Sequence, residues 1–220
     1  MKVDTDRSLK GMNLKWLVML AVFDMVVVLL FIAPELINQA EWSQFIINRG
    51  LAVTILPVLI LLLTGVLSHN AKAIIVYWRV KNPMPGCRAF TDHGPGDARI
   101  DMVALKRNVG ELPTDPVEQN KKWFRLYKLV SDDKAVIEAH KMYLMYRDMA
   151  AMSMLLMILV PIVMYVLGAT MSASWIAAAC FMLQFIVCCL GARNSGARLV
   201  CNVLSVHCTR KVTAAKASPA

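Results

Sequence analysis

The sequence predicts an all-α polytopic membrane protein, a four-transmembrane-helix bundle with a helical cytoplasmic insertion between spans two and three. Three observations predict it. The 220 residues are 58% hydrophobic with a mean hydropathy of +0.54, more apolar than a soluble domain of this size needs to be. A bilayer core demands roughly 20 mostly apolar residues per helix, and four such windows run from about Trp16 to Ala33, Leu51 to Ser68, Ala150 to Leu167 and Ser172 to Leu190. Finally, Lys and Arg concentrate in alternate connections, the pattern of cytoplasmic loops.

The first window follows a basic arm but is no signal peptide. Its apolar run exceeds the 7 to 15 residues of a signal core, it contains Asp24, and no small-x-small cleavage site follows directly. Of the 24 basic residues, the arm holds Lys2, Arg7, Lys10 and Lys15, and the tail holds Arg193, Arg198, Arg210, Lys211 and Lys216. All the others except Arg49 lie between spans two and three, from Lys72 to Arg147. Both termini are therefore expected in the cytoplasm. The net charge of +9 follows from this topology and from attraction to anionic lipid. No nucleic-acid-binding motif accompanies it, so nucleic acid is not an expected partner. Cys87, Cys201 and Cys208 fall on the cytoplasmic side and Cys180, Cys188 and Cys189 in or near span four, so no disulfide framework is expected.

The chain divides into an N-terminal arm (1–15), spans one and two with a short periplasmic loop (16–68), a cytoplasmic helical cap with its stalks (69–148), spans three and four (149–192), and a C-terminal helix and tail (193–220). Span two is expected to continue as a stalk through AKAIIVYWRV until Asn82-Pro83-Met84-Pro85-Gly86 ends it, because prolines and glycine cannot extend a helix. Residues Cys87 to Pro95 read as irregular. Asp97 is expected to cap a helix ending at Gly110, and Asp115 with Pro116 and Glu118 a second one to about Val130. Ser131 is expected to cap a third that flows into span three. A cap this small cannot bury an independent core. Its aromatic residues, Trp123 and Tyr127 among them, are expected to pack it onto the stalks.

Few residues carry an unusual signal. Asp24 places a carboxylate inside span one at a cost of about 2.5 to 3.5 kcal/mol on insertion scales. It could line a pore, relay protons or bind a cation, or else hydrogen-bond to Gln184 in span four, which lies within about one helical turn of the same depth. Pro57 and Pro161 interrupt spans two and three and could form a hinge or merely shape the helices. Ala173 and Ala177 give span four a face for close helix packing, within the chain or between subunits of a homo-oligomer. Met142, Met145, Met149, Met152, Met154, Met157 and Met164 scatter around their helix, which suits adaptable packing rather than copper ligation.

In the loop CRAFTDHGPGD no catalytic, zinc or phosphate-binding spacing is met. No enzyme activity, metal or cofactor is expected. Arg88, Arg99, Asp101 and Arg107, with Trp123 and Tyr127, mark the expected surface for a cytosolic protein partner.

The runs NPMPGCRAF, DARID, ELPTDPVEQNKKWFRLYK and ARNSGARLVCNVL resemble a group of uncharacterised bacterial four-span membrane proteins found in accessory genomic islands, some of which carry antiviral systems. The resemblance covers the cytoplasmic segment and the C-terminal region. It implies a bacterial setting near antiviral systems and brings no catalytic residues with it. The topology places the chain in the inner membrane, and the architecture, stalks linking a cap to kinked spans of which one carries an acid, leads to the expectation of an oligomeric effector or sensor whose cap receives a signal or partner and alters the packing or permeability of the spans. Two alternatives stay open: a small proton- or ion-conducting transporter centred on Asp24, and a membrane anchor that recruits a cytosolic enzyme.

Overall fold

A computed structural model describes residues 5–37, 59–60, 62–166 and 169–209. Helix is the only regular secondary structure among them. The helices are α1 (Thr5–Ile37), α2 (His69–Tyr77), α3 (Met102–Val109), α4 (Pro116–Leu129), α5 (Lys134–Val166) and α6 (Met171–Thr209), with a further helical stretch at 62–66. Among the described residues, α5 and α6 are each long and apolar enough to cross a membrane. Pro57 and the loop between the first two apolar runs lie outside the described residues.

The chain forms two compact units. The first comprises Met1–Val76 and Leu144–Gly191. Its core is built from Val28, Ile60, Met152, Leu156, Val160, Met164, Ala177 and Phe181, with Ala173 packed against them. Ala173 and Ala177 therefore serve helix contact within the chain. Three of the scattered methionines, Met152, Met157 and Met164, join this core or its margin, as flexible side chains filling irregular gaps do. Many large apolar side chains of the same unit remain exposed, including Met19, Phe23, Leu62, Val66, Ile162, Trp175, Leu183 and Val187. Pro161 sits inside α5, which continues through it to Val166.

The stalk expected to extend the second apolar run unbroken does not do so. The helix stops at Leu67–Ser68 and restarts at His69. Ser68 causes the restart, its hydroxyl accepting the Ala71 backbone N–H at 3.1 Å, the local bond that makes serine a cap rather than a helix interior residue.

The second unit comprises Tyr77–Tyr143 and Ala192–Ala220. The segment after the fourth apolar run thus belongs with the insertion. No separate helix begins there: α6 passes uninterrupted through Asn194-Ser195-Gly196. Small residues serve packing at this point, since a Cβ on Gly196 would strike the Tyr77 hydroxyl and come within 3.2 Å of the Tyr143 ring.

Capping chemistry shapes the rest of this unit. Asp115 accepts the Val117 and Glu118 N–H groups, with Pro116 at the first helical position of α4, as the spacing predicts. The reciprocal half of the capping box is not formed, because Glu118 pairs with Lys121 at 2.7 Å. Two expected caps are displaced. Asp101, not Asp97, caps α3, because Asp97 is held in its own turn by the Arg99 backbone and guanidinium. Asp133, not Ser131, caps α5, accepting the Ala135 N–H at 2.9 Å, while the Ser131 hydroxyl turns back to the Lys128 carbonyl. Gly110 closes α3 with φ of 81°, a conformation only glycine adopts without strain. Residues 85–93, read as irregular, form a 3-10 turn (Pro85–Arg88) and a π turn (Ala89–His93).

Buried polar groups lock these pieces together. Gln119 accepts the Phe90 N–H at 3.0 Å and donates to the Thr114 carbonyl at 2.8 Å. His207 Nε2 meets the Leu126 carbonyl at 3.0 Å, and Asn108 donates to the carbonyls of His207 and Cys208. Trp123 and Tyr127 correct an expectation. They are only 8% and 9% exposed, stack on each other, and anchor the interior through Tyr127 Oη to His140 Nδ1 at 2.9 Å. They form no partner surface.

Candidate functional site: polar groups in the apolar unit

Asp24 stands at 0% exposure in the apolar unit. Four residues further along α1, one helical turn away, Val28 joins the core, so the face that carries Asp24 points inward. Neither carboxylate oxygen has a hydrogen-bond partner. Gln184 is near enough to interact with the carboxyl, but the pairing read from sequence is not a hydrogen bond of normal geometry. The Gln184 amide instead donates to Ser153 Oγ at 3.0 Å, and that hydroxyl donates to the Met149 carbonyl at 2.9 Å. The Cys188 thiol lies 4.0 Å from Ser153 Oγ. Three helices thus place Asp24 (α1), Ser153 (α5), Gln184 and Cys188 (α6) as one polar cluster.

A second cluster in the same unit is ionic. Asp148 Oδ1 accepts from Lys72 Nζ at 3.1 Å and from Arg147 Nη2 at 2.9 Å, while Arg147 also contacts His69 Nδ1. Arg147 is 1% exposed. Sequence reading passed over this cluster, counting Lys72 and Arg147 only as loop charges. A signal existed in Asp148, the last acidic residue of the chain, which lies at the threshold of a long apolar run and so has to meet cations. Ser153 and Cys188 carried no such signal, since small polar residues are ordinary in membrane helices.

In the second unit, Asp92, His93, Asp97, Arg99, Arg198 and Cys201 line a surface cavity of about 410 Å³ together with Gly96, Ala98 and Ala197. Its charges are mostly spent internally. Arg99 pairs with Asp97 at 2.7 Å, holding that carboxyl well below the usual carboxylate range, and Arg88 faces Asp92 at 3.6 Å. Burial, with Asp97 beside it, pushes the Cys201 thiol up to about 12. Burial and Arg88 lower His93. A thiol kept protonated is a poor nucleophile. Among the described residues no three His, Cys, Asp or Glu side chains are placed so that they could hold a metal ion together. Of the expected partner-surface residues, Arg99, Asp101 and Arg107 are exposed and Arg88 is half-buried. Asp101 is occupied as a helix cap.

No protein-family model, characterised protein or solved structure matches this chain.

Proposed function

We propose that this chain is a four-span inner-membrane protein with cytoplasmic termini, in which a cytoplasmic helical head controls the packing and permeability of a transmembrane bundle. The observation that carries the reading is that α5 and α6 are single uninterrupted helices contributing residues to both compact units. Chain continuity through these two helices gives a partner bound by the head a covalent route to the apolar half. The exposed apolar side chains of that half suit a lipid surround, being more extensive than a soluble monomer leaves bare. Assembly as a homo-oligomer, recognition of a cytosolic protein partner and a setting in bacterial antiviral defence are parts of the same proposal, the last resting on the resemblance alone.

The test is reconstitution of the full chain in liposomes carrying an internal pH dye and a potential-sensitive dye, under imposed potentials of both signs. Dissipation of the imposed gradients faster than in empty vesicles is expected. Vesicles that stay sealed at either polarity would overturn the permeability role.

Asp24 favours a second, narrower reading, a proton- or cation-conducting path centred on its carboxyl. A fully buried carboxyl group without hydrogen bonds is costly, and evolution retains such groups in membranes mainly where they act. Asp24→Asn keeps shape while removing the ionisable group. Flux that persists unchanged in this variant would exclude the Asp24-centred path.

A further inference from the structure

Five consecutive residues, Trp78 to Asn82, are exposed directly after α2. Trp78 is 61% and Val80 80% exposed, while Arg79 and Lys81 project between them, neither pairing with a carboxylate among the described residues. The loop is bracketed by two left-handed residues, Trp78 at φ 53° and Asn82 at φ 50°. Asparagine tolerates this conformation, but a tryptophan does not adopt it without strain. Something in the fold has to hold Trp78 there. The Arg193 guanidinium lies 4.1 Å from the centre of its ring, a cation–π contact strong enough to orient an indole.

Arg193 also gives the loop a depth. It sits on α6 three residues beyond Leu190, where the apolar run ends. At 1.5 Å per residue that is about 4.5 Å past the hydrocarbon, within the roughly 5 to 8 Å headgroup layer on each side of a bilayer. Tryptophan is enriched at this level because its ring is apolar and its N–H is polar. The charge is one-signed as well: from Trp42 to Thr91 the sequence contains no Asp or Glu. A separate contact repeats the chemistry, Lys15 over the Trp16 ring at 5.4 Å, where the apolar run of α1 begins.

We propose that the Trp78–Asn82 loop is an interfacial anchor for anionic phospholipid, with the Trp78 indole seated at the headgroup boundary, held by Arg193, and Arg79 and Lys81 directed to lipid phosphates. This rests on the reading of α6 as a membrane span.

The full chain is reconstituted in phosphatidylcholine vesicles containing either brominated phosphatidylcholine or brominated phosphatidylglycerol at equal mole fraction. Trp78 emission is isolated as the difference between wild type and Trp78→Phe, and Trp175 emission as the difference between wild type and Trp175→Phe. Brominated phosphatidylglycerol is expected to quench Trp78 selectively, with an enrichment of about fivefold per cation. Arg79→Gln/Lys81→Gln is expected to abolish that selectivity while Trp78 stays quenchable by total brominated lipid. Trp78 unquenched beside a quenched Trp175 would overturn the anchor while leaving the span intact, the loop then facing water or protein. Equal quenching by both lipids would overturn the anionic preference. If Trp175 is also untouched, the spanning reading of α6 has failed, and the anchor with it.

Discussion

Replacing Asp24 by valine separates the cost of this residue from its use. The side chain is fully buried and both its oxygens lack hydrogen bonds. A buried polar group left unsatisfied costs about 1 to 3 kcal/mol. Valine removes both oxygens and is larger than aspartate by less than about one methylene, an increase that flexible apolar neighbours can take up at small cost, and the residue one turn away, Val28, is already apolar core. Asp24→Val should therefore stabilise the protein by about 1 to 3 kcal/mol. For a chain of this size each kcal/mol moves the thermal midpoint by about 2 to 4 °C, a rise of about 2 to 12 °C in detergent, read by intrinsic fluorescence or by aggregation onset. The same variant should abolish any Asp24-dependent flux in liposomes, the trade of stability against activity that functional sites show. A midpoint that falls would refute the reasoning, because it would mean that the carboxyl makes a net stabilising interaction, and Asp24 would then be a structural tie.

Three further predictions concern the second unit. Gly196→Ala should destabilise it by about 1 to 3 kcal/mol, since the added methyl strikes the Tyr77 hydroxyl and the Tyr143 ring; faster hydrogen exchange over 192–209 is the readout, and unchanged protection would contradict the packing described. Tyr127→Phe removes the bond to His140 Nδ1 and should cost about 0.5 to 1.5 kcal/mol, measured by thermal unfolding of the full chain. The Asp97 carboxyl is depressed in the fold by Arg99, so its contribution is fully present above the unfolded carboxylate value of about 4 and is lost as pH falls through the lower folded value. Exchange at residues 97–105 should accordingly accelerate only under strongly acidic conditions, and the acceleration should vanish in Asp97→Asn.

The displaced caps show how far local chemistry reaches. Asp115 with Pro116 was legible because every determinant lies within four residues. The sequence pointed to Asp97 as the cap, and the shift to Asp101 fell to the Arg99 side chain, which claims Asp97 in a turn and donates as well to Asn202, 103 positions away. Trp123 and Tyr127 were legible as packing residues. That they face inward rather than toward a partner depends on His140 in α5, beyond the reach of helical periodicity.

Composition and the spacing of apolar runs by themselves determined that the chain is helical and that its two C-terminal apolar runs lie in helices long enough to cross a bilayer, because burial of apolar surface depends on content and length more than on partners. Asp24 was conspicuous for the same reason, as a charge that an apolar run does not explain. Only the tertiary structure decided the polar pairings and the grouping of segments: that the Gln184 amide donates to Ser153, that Asp148 gathers Lys72 and Arg147, and that the segment after the last apolar run belongs with the insertion. Each of these is a choice among competing polar partners far apart in the chain. Hydrogen bonds are short and directional, so such choices are made by three-dimensional proximity, which the order of residues does not encode locally.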